Sequence, residues 1–265
     1  MSQHDAIVVE NRQVSKACWR MALDPEANYQ SAVPGQFVMF QIGSPQTALL
    51  RRPFSIFGLR ETHGRHQGIE LLYKVVGRVT DQMRQLVPGN RVNLLGPLGR
   101  GFRVQSGHTR LYFVAGGIGV APIRFLIRSL IAQEWGLAEC RIFLGGRSRD
   151  ELLCRDEFER LCLALSLTTD DGSAGRQCVI TDPLADAMQS DPPQGVYACG
   201  PPAMLQCVAG LAETFGVPCQ VSMETHMACG IGACLGCALH PSRVDAPYLH
   251  VCKEGPVFDA ADLAL

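Results

Sequence analysis

Two rhythms of apolar and polar residues divide this chain. Up to about position 102, short apolar stretches alternate with turn residues. Positions 7–9, 18–23, 37–42, 54–57, 69–76 and 92–95 read as strands, punctuated by Pro34-Gly35, Pro45, Gly64, Gly68 and Pro88-Gly89-Asn90. That spacing predicts a small antiparallel β-barrel. A short helix is expected over 80–86, with Thr80 as its N-cap and Met83, Leu86 and Val87 on one face. From Arg110 the rhythm changes. Leu111-Tyr112-Phe113-Val114-Ala115 is an unbroken apolar run, as in a strand buried on both faces. Further strands are expected at 141–144, 165–169, 195–198 and 219–223, alternating with helices at 121–135, 156–163, 181–188 and 203–215. The alternation predicts an α/β domain with a parallel sheet. The fold class is therefore multi-domain: an N-terminal antiparallel β-barrel over 1–104, a central α/β parallel-sheet nucleotide domain over 105–217, and a small C-terminal domain over 218–265.

The 265 residues are 47% hydrophobic and 18% charged, enough to bury sizeable cores and unlike a disordered chain. The net charge of −1 and the absence of a basic run give no argument for nucleic acid or for a membrane surface. No apolar run is long enough to span a bilayer. Met1-Ser2-Gln3-His4-Asp5 does not begin a signal peptide, so a cytoplasmic protein is expected. Of the twelve cysteines, Cys18, Cys140, Cys154, Cys162, Cys178, Cys199, Cys207 and Cys219 are expected to be buried thiols in a reducing compartment. Cys199 also falls at the rim of the nucleotide site.

The remaining four change the picture. Cys229, Cys234 and Cys237 follow the spacing C-x4-C-x2-C, and Cys252 comes after a longer gap. This is the plant-type [2Fe–2S] ligand spacing. Gly230, Gly232 and Gly236 lie between the ligands and let the backbone wrap a cluster closely. A structural zinc site is the competing reading, but it usually pairs two short knuckles, and here only Cys234 and Cys237 form one. Disulfides need an oxidising compartment. His226 stands beside this stretch as a packed or solvated residue, because four cysteines already suffice.

Three other stretches offer binding chemistry. Arg51-Arg52-Pro53-Phe54-Ser55 puts forked cationic donors and a hydroxyl at a strand start. Gly77-Arg78-Val79-Thr80 follows a strand and opens a helix, where backbone N–H groups suit phosphate. Gly116-Gly117-Ile118-Gly119-Val120-Ala121-Pro122 joins the apolar strand to a helix in dinucleotide-binding geometry, although it is not G-x-G-x-x-G. The ends of the later strands carry Gly145-Gly146-Arg147, Asp170-Asp171-Gly172 and Cys199-Gly200-Pro201-Pro202, where an open α/β sheet binds its ligand.

Arg52-x-x-Ser55, the glycine turn at 116–122 and Cys199-Gly200-Pro201-Pro202-Ala203-Met204 together resemble the ferredoxin–NADP reductase superfamily. With Glu224-x-x-Met227-x-Cys229-Gly230-x-Gly232-x-Cys234-x-Gly236-Cys237 and Thr169-Asp170-Asp171-Gly172-Ser173 added, nearly the whole chain is similar to the iron–sulfur electron-transfer subunits of type-B dihydroorotate dehydrogenase. The resemblance implies an FAD held by Arg52, Pro53, Phe54 and Ser55, with Leu72, Tyr73 and Lys74 flanking the flavin and Val79 and Thr80 at its pyrophosphate. That family usually has Gly-x-Gly-Thr where this chain has Gly77-Arg78-Val79-Thr80. It implies NAD at Gly116, Gly117, Gly119, Cys199, Gly200 and Pro201, and a [2Fe–2S] cluster on Cys229, Cys234, Cys237 and Cys252. The implied partner is a catalytic FMN subunit in a complex of two copies of each chain. The implied role is electron transfer between that subunit and NAD in pyrimidine biosynthesis. Two alternatives remain open: a reductase subunit of a hydrogenase, sulfide dehydrogenase or ferredoxin-dependent transhydrogenase, and a zinc-stapled binding module. Arg147 and Arg149 follow a strand, where an arginine either meets a 2′-phosphate or, more commonly, stands as a solvated loop residue; the resemblance implies NAD.

Overall fold

The computed structural model describes residues 2–43, 49–62, 65–161 and 163–265. The expected turns at Pro45 and Gly64, and the expected thiol Cys162, lie outside these residues.

The first hundred residues close into a six-stranded antiparallel barrel. Its strands are β1 (Ser2–Gln13), β2 (Cys18–Pro25), β3 (Phe37–Ile42), β4 (Arg52–Thr62), β5 (Arg65–Lys74) and β6 (Arg91–Leu98). They pair in the order β1-β2-β5-β4-β3-β6, and β6 returns to β1. Period-2 alternation fills the interior. On β5, Ile69, Leu71 and Tyr73 face the barrel core, while Leu72 packs outward against the next domain. The helix expected over 80–86 is α1 (Arg78–Met83), and its N-cap is Gly77, not Thr80. The reason is local. The Thr80 hydroxyl reaches back to accept the N–H groups of Val76 (2.9 Å) and Gly77 (3.1 Å), which fixes the turn from inside the helix.

The second layer is a six-stranded sheet. It contains β7 (Leu111–Gly116), β8 (Arg141–Gly146), β9 (Ala164–Thr169), β10 (Gly195–Cys199) and β11 (Cys219–Ser222), all parallel. Four helices accompany them: α2 (Val120–Ala132), α3 (Arg155–Arg160), α4 (Thr181–Ser190) and α5 (Pro202–Thr214). The apolar run of β7 is central. Leu111, Phe113 and Ala115 enter the core on one face, and Tyr112 and Val114 enter the core on the other. A two-stranded ribbon, β12 (Ala238–Leu239) with β13 (Leu249–His250), follows the cysteine loop. The chain then returns as β14 (Val257–Asp259), which pairs antiparallel with β11 and completes the sheet order β14-β11-β10-β7-β8-β9. The sheet thus runs across position 217, where the sequence pattern suggests a boundary. Residues 219–222 and 257–259 belong to it by pairing.

Barrel and sheet meet through α2. Phe125 joins the barrel core, and Arg124, 8% exposed, extends toward the barrel. Its Nε donates to Glu157 Oε2 on α3 (2.7 Å), and its Nη1 donates to the carbonyl of Phe57 on β4 (3.2 Å) and lies 3.9 Å from Glu70 Oε2 on β5. Arg20 on β2 pairs with the same Glu70.

Candidate functional site

Two cavities open along the seam between these layers. The first, about 770 Å³, is walled on one side by the barrel. Arg52, Pro53, Phe54 and Ser55 from the start of β4, Leu72, Tyr73 and Lys74 from the end of β5, and Val79 and Thr80 from α1 all line it. Its other wall is Met223, Glu224, Thr225, Met227 and Pro256. The two neighbouring arginines divide. Arg51 donates to the carbonyls of Met39 and Asn93 (3.3 Å each) and to Asn93 Oδ1 (2.5 Å), tying it to the barrel. Among the described residues Arg52 bonds the carbonyls of Leu50 and Arg51, and it keeps its exposed guanidinium on the cavity wall. Tyr73 turns its ring into the barrel core, where its hydroxyl donates to Asn11 Oδ1 (2.9 Å) and burial pushes its pKa up to about 12. It therefore meets the cavity mainly through its backbone.

The second cavity, about 700 Å³, lies at the carboxyl ends of the parallel strands. Gly116 ends β7 and Gly117 and Gly119 follow it, Gly145 and Gly146 end β8 with Arg147 next, Thr168 lies near the end of β9 with Asp170 just beyond it, and Gly200 and Pro201 follow β10. The chain runs from β7 outward to β8 and β9, then crosses back to β10, so this is the topological switch point of the sheet. The glycines are required by close approach. A Cβ on Gly119 would lie 2.4 Å from the carbonyl oxygen of Cys199, and one on Gly116 would lie 2.7 Å from Pro201 Cδ. Gly117 has φ +54° and nothing within 4 Å of a built Cβ, which leaves bare backbone beside the cavity. Cys199 sits behind this wall. It is fully buried, and burial pushes its thiol pKa up. The site expectation at Cys199 thus reduces to its backbone, against which Gly119 packs.

The cavities touch. Lys74, Ile118, Met223 and Glu224 line both. Glu224 is exposed at the cavity surface, yet the crowding of the two walls around it raises its carboxyl pKa. Lys74 Nζ donates to Glu151 Oε1 across the domain seam (2.8 Å). The Glu151 carboxylate also holds Arg147, through Nε to both oxygens (3.1 Å each) and Nη2 to Oε1 (2.5 Å). Those hydrogen bonds from Arg147, against the opposing effect of burial and with help from Lys74, bring its pKa down to about 2.

Beyond the first cavity, Met227 leads into the cysteine loop. The four thiols gather as two pairs. Cys229 and Cys234 have their Sγ atoms 3.4 Å apart, and Cys237 and Cys252 have theirs 3.3 Å apart. Among the described residues no three metal-ligating side chains converge on a single ion position. Two pairs suit two irons better than one zinc. The loop is built for sulfur. Gly230 and Gly232 have φ +72° and +76°, and the Gly232 N–H points to Cys252 Sγ (3.1 Å) and the Ile231 N–H to Cys229 Sγ (3.5 Å). Burial raises the Cys229 pKa, but the N–H groups of Ile231 and Cys234 outweigh it and bring it to about 6. Burial, then the neighbouring Cys237, push Cys252 up to about 12. The donor set and these N–H groups fit a thiolate-ligated cluster. His226 is exposed.

Sequence reasoning missed Glu151 as a cavity residue and Glu224 as the carboxylate shared by both cavities, while Asp170 stands at a strand end where a ligand was expected. The Arg147–Glu151 spacing of four was the one legible hint of a pairing. Of the other cysteines, Cys18, Cys140, Cys199 and Cys219 are buried, Cys154 and Cys178 are half-buried, and Cys207 is exposed. Cys207 departs from expectation because it lies on α5 one turn beyond Ala203, on the side that lines the second cavity.

Comparison with known proteins gives the following. Residues 224–264 match the family described as the iron–sulfur cluster binding domain of dihydroorotate dehydrogenase B, and residues 113–210 match the oxidoreductase NAD-binding domain. The chain is 36% identical to a dihydroorotate dehydrogenase B (NAD(+)) electron transfer subunit of Desulforamulus reducens, over 96% of this chain and 95% of that one. It is 37% identical to a probable subunit of the same name from Methanopyrus kandleri, over 97% and 90%. Among solved structures it is similar to a chain from the NADH-dependent reduced ferredoxin-NADP oxidoreductase, with TM-score 0.82, 26% identity and coverage of 97% and 88%. The cytochrome b5 reductase domain of Ulva prolifera nitrate reductase shares the fold, with TM-score 0.62, 19% identity and coverage of 81% and 93%.

Proposed function

This chain belongs to the family of dihydroorotate dehydrogenase B electron transfer subunits, and from that premise we propose that it carries electrons between a catalytic dihydroorotate dehydrogenase subunit and NAD in pyrimidine biosynthesis. The observation that carries the reading is the contiguity of the three sites. The second cavity shares Lys74, Ile118, Met223 and Glu224 with the first, and the first reaches Met227, two residues from Cys229. FAD exchanges electron pairs with nicotinamide and single electrons with a [2Fe–2S] cluster, which is the chemistry such a series of sites needs.

The chain's own residues do the positioning. Arg52 offers its guanidinium fork to a flavin phosphate, and Pro53, Phe54 and Ser55 continue that wall. Leu72 and Lys74, with the backbone of Tyr73 between them, line the cavity wall that would flank the flavin. Val79 and Thr80, at the start of α1, line the same cavity and would meet the pyrophosphate. Gly116, Gly117 and Gly119 bring bare backbone to a dinucleotide pyrophosphate. Gly200 and Pro201, backed by Cys199, hold the facing wall. Cys229 with Cys234 takes one iron, and Cys237 with Cys252 takes the other. Ile231 and Leu235 on the same loop are 44% and 69% exposed and form an apolar spot where a partner would bury the cluster edge. The partner is a catalytic FMN subunit, and the complex contains two copies of each chain. No helix among the described residues is long and apolar enough to cross a membrane, in keeping with work in the cytoplasm.

Co-purification of the native complex tests the reading. The complex is expected to contain FMN, FAD and iron and to form orotate from dihydroorotate with NAD⁺. A complex without an FMN subunit and inactive on dihydroorotate would move the assignment to a reductase subunit of a hydrogenase, sulfide dehydrogenase or ferredoxin-dependent transhydrogenase. A colourless, zinc-containing protein would end both.

The nucleotide turn gives a second test. In Gly119→Ala the new Cβ meets backbone, not a flexible side chain. The turns after β7 and β10 must separate. Overpacking of this kind costs about 1–3 kcal/mol, so NADH affinity is expected to fall about tenfold or more. Titration of the purified variant with NADH measures it.

A further inference from the structure

The first cavity carries more positive charge than its own carboxyl groups match. Among the described residues its lining holds three cations, Arg52, Lys74 and Arg78, and one carboxyl, Glu224. Lys74 already has Glu151 (2.8 Å). Arg52 has two carbonyl partners and no carboxylate. Arg78, the first residue of α1, is exposed, and among the described residues its side chain has neither a hydrogen-bond nor an ion-pair partner. Arg84, at the other end of the same helix, shows the contrast: its Nε donates to Asp81 Oδ1 (2.7 Å).

The segment around Arg78 has few other donors left for an anion. Thr80 Oγ1 accepts from the N–H groups of Val76 (2.9 Å) and Gly77 (3.1 Å), and its own proton goes to the Gly77 carbonyl (2.9 Å). The Thr80 hydroxyl is therefore committed to its own turn, together with both N–H groups ahead of the helix, and Thr80 can meet a ligand through its backbone. Val79 packs its side chain against the barrel core. That leaves the Arg78 guanidinium as the uncommitted side-chain donor of residues 76–80 on the cavity wall. A guanidinium presents its N–H groups as a rigid fork that matches phosphate oxygens, and hydrogen bonds between charged partners are the strong ones.

We infer that Arg78 is a second diphosphate-binding residue of the first cavity: its guanidinium acts with that of Arg52 on the charged half of FAD, in place of the Thr80 hydroxyl. The inference rests on the reading of this cavity as the FAD site and assigns part of the hold on FAD to one side chain. Arg78→Met keeps the length of the stem and removes the charge. Arg78→Lys keeps the charge without the fork, and Arg78→Glu reverses it. Arg78 is exposed and unpaired, so none of the three leaves a partner charge stranded.

The test uses the purified full chain loaded with FAD. Release of FAD on dilution is followed by flavin fluorescence at low and at high salt, and the melting midpoint with excess FAD reports on the fold. Arg78→Met is expected to weaken FAD binding about tenfold or more at low salt. Arg78→Lys is expected to lose less than Arg78→Met, and Arg78→Glu to lose more. The differences among the three are expected to shrink at high salt, because the site is open to solvent and its charges are screened. A purely structural role for Arg78 would give neither that order nor its salt dependence. FAD binding unchanged in a folded Arg78→Met, or losses in the three variants that ignore charge and salt, overturns the inference alone. A full chain that binds no FAD overturns it together with the assignment of the cavity.

Discussion

Replacing Cys234 with alanine is expected to strip the cluster and leave the flavin half of the protein working. Cys234 is the proposed partner of Cys229 at one iron; their sulfurs lie 3.4 Å apart, and Cys234 lines neither cavity. Removing one of four thiolates leaves an iron with an open position and an unpaired neighbour. Even hydrogen-bond partners of metal ligands are worth about 10–100-fold, so loss of a ligand should lower electron delivery to the catalytic subunit at least about a hundredfold. Bound iron should fall in proportion. Flavin bleaching by NADH should persist at a similar rate, because the residues that hold both nucleotides are untouched. Cys234 is the right choice among the four. Cys237 and Cys252 are each 2% exposed and pack with Val251 and Phe258 in the core behind the sheet, so their loss would also cost fold stability. Iron analysis and stopped-flow reduction of the same preparation decide the matter. Loss of both activities in a folded variant would contradict the separation of flavin and cluster sites.

That separation was legible in the sequence because its carriers are local. The cysteine spacing, the glycine turn after an unbroken apolar strand and the Arg52–Ser55 stretch each place their chemistry within a dozen residues. What the sequence did not display is what depends on distant partners. The three-residue strand β14 carries no strand signal of its own length. It is a strand because Val221 and Ser222 offer a free edge to Phe258 and Val257. The pairing of Cys237 with Cys252 follows from β13 returning beside β12, not from spacing. Thr80 has the right chemistry for an N-cap, yet it acts three residues later, because its hydroxyl is closer to the N–H groups behind it. Glu151 looks like one end of a surface i,i+4 pair until Lys74, seventy-seven residues earlier, is found on Oε1, the oxygen that also accepts from Arg147.

The seam that makes those distant contacts should also be the most sensitive point for stability. Arg124→Met is expected to lower the unfolding midpoint by about 6–12 °C. Arg124 has a 9% exposed side chain, with its guanidinium 4.2 Å from the centre of the Phe57 ring and bonded to Glu157 and the Phe57 carbonyl. Gly58 gives it room, since a Cβ there would stand 3.0 Å from Arg124 Nη1. Methionine matches the stem but leaves the Phe57 carbonyl and two carboxylates less satisfied: Glu157 keeps Arg128, and Glu70, itself 9% exposed, keeps Arg20. Breaking a buried pair from one side costs about 3–5 kcal/mol, and the partners that remain place this case near ~3 kcal/mol. At about 2–4 °C per kcal/mol for a domain of this size, the shift follows. Arg124→Met combined with Glu157→Gln should recover part of it, because one orphaned charge is removed. The two-residue change separates electrostatics from packing. If Arg124→Met alone melts within about 2 °C of the unaltered protein, the network is peripheral and the apolar contact of Phe125 with the barrel holds the domains together. If the double variant melts no higher than the single one, the loss lies in the ring contact and not in the charges.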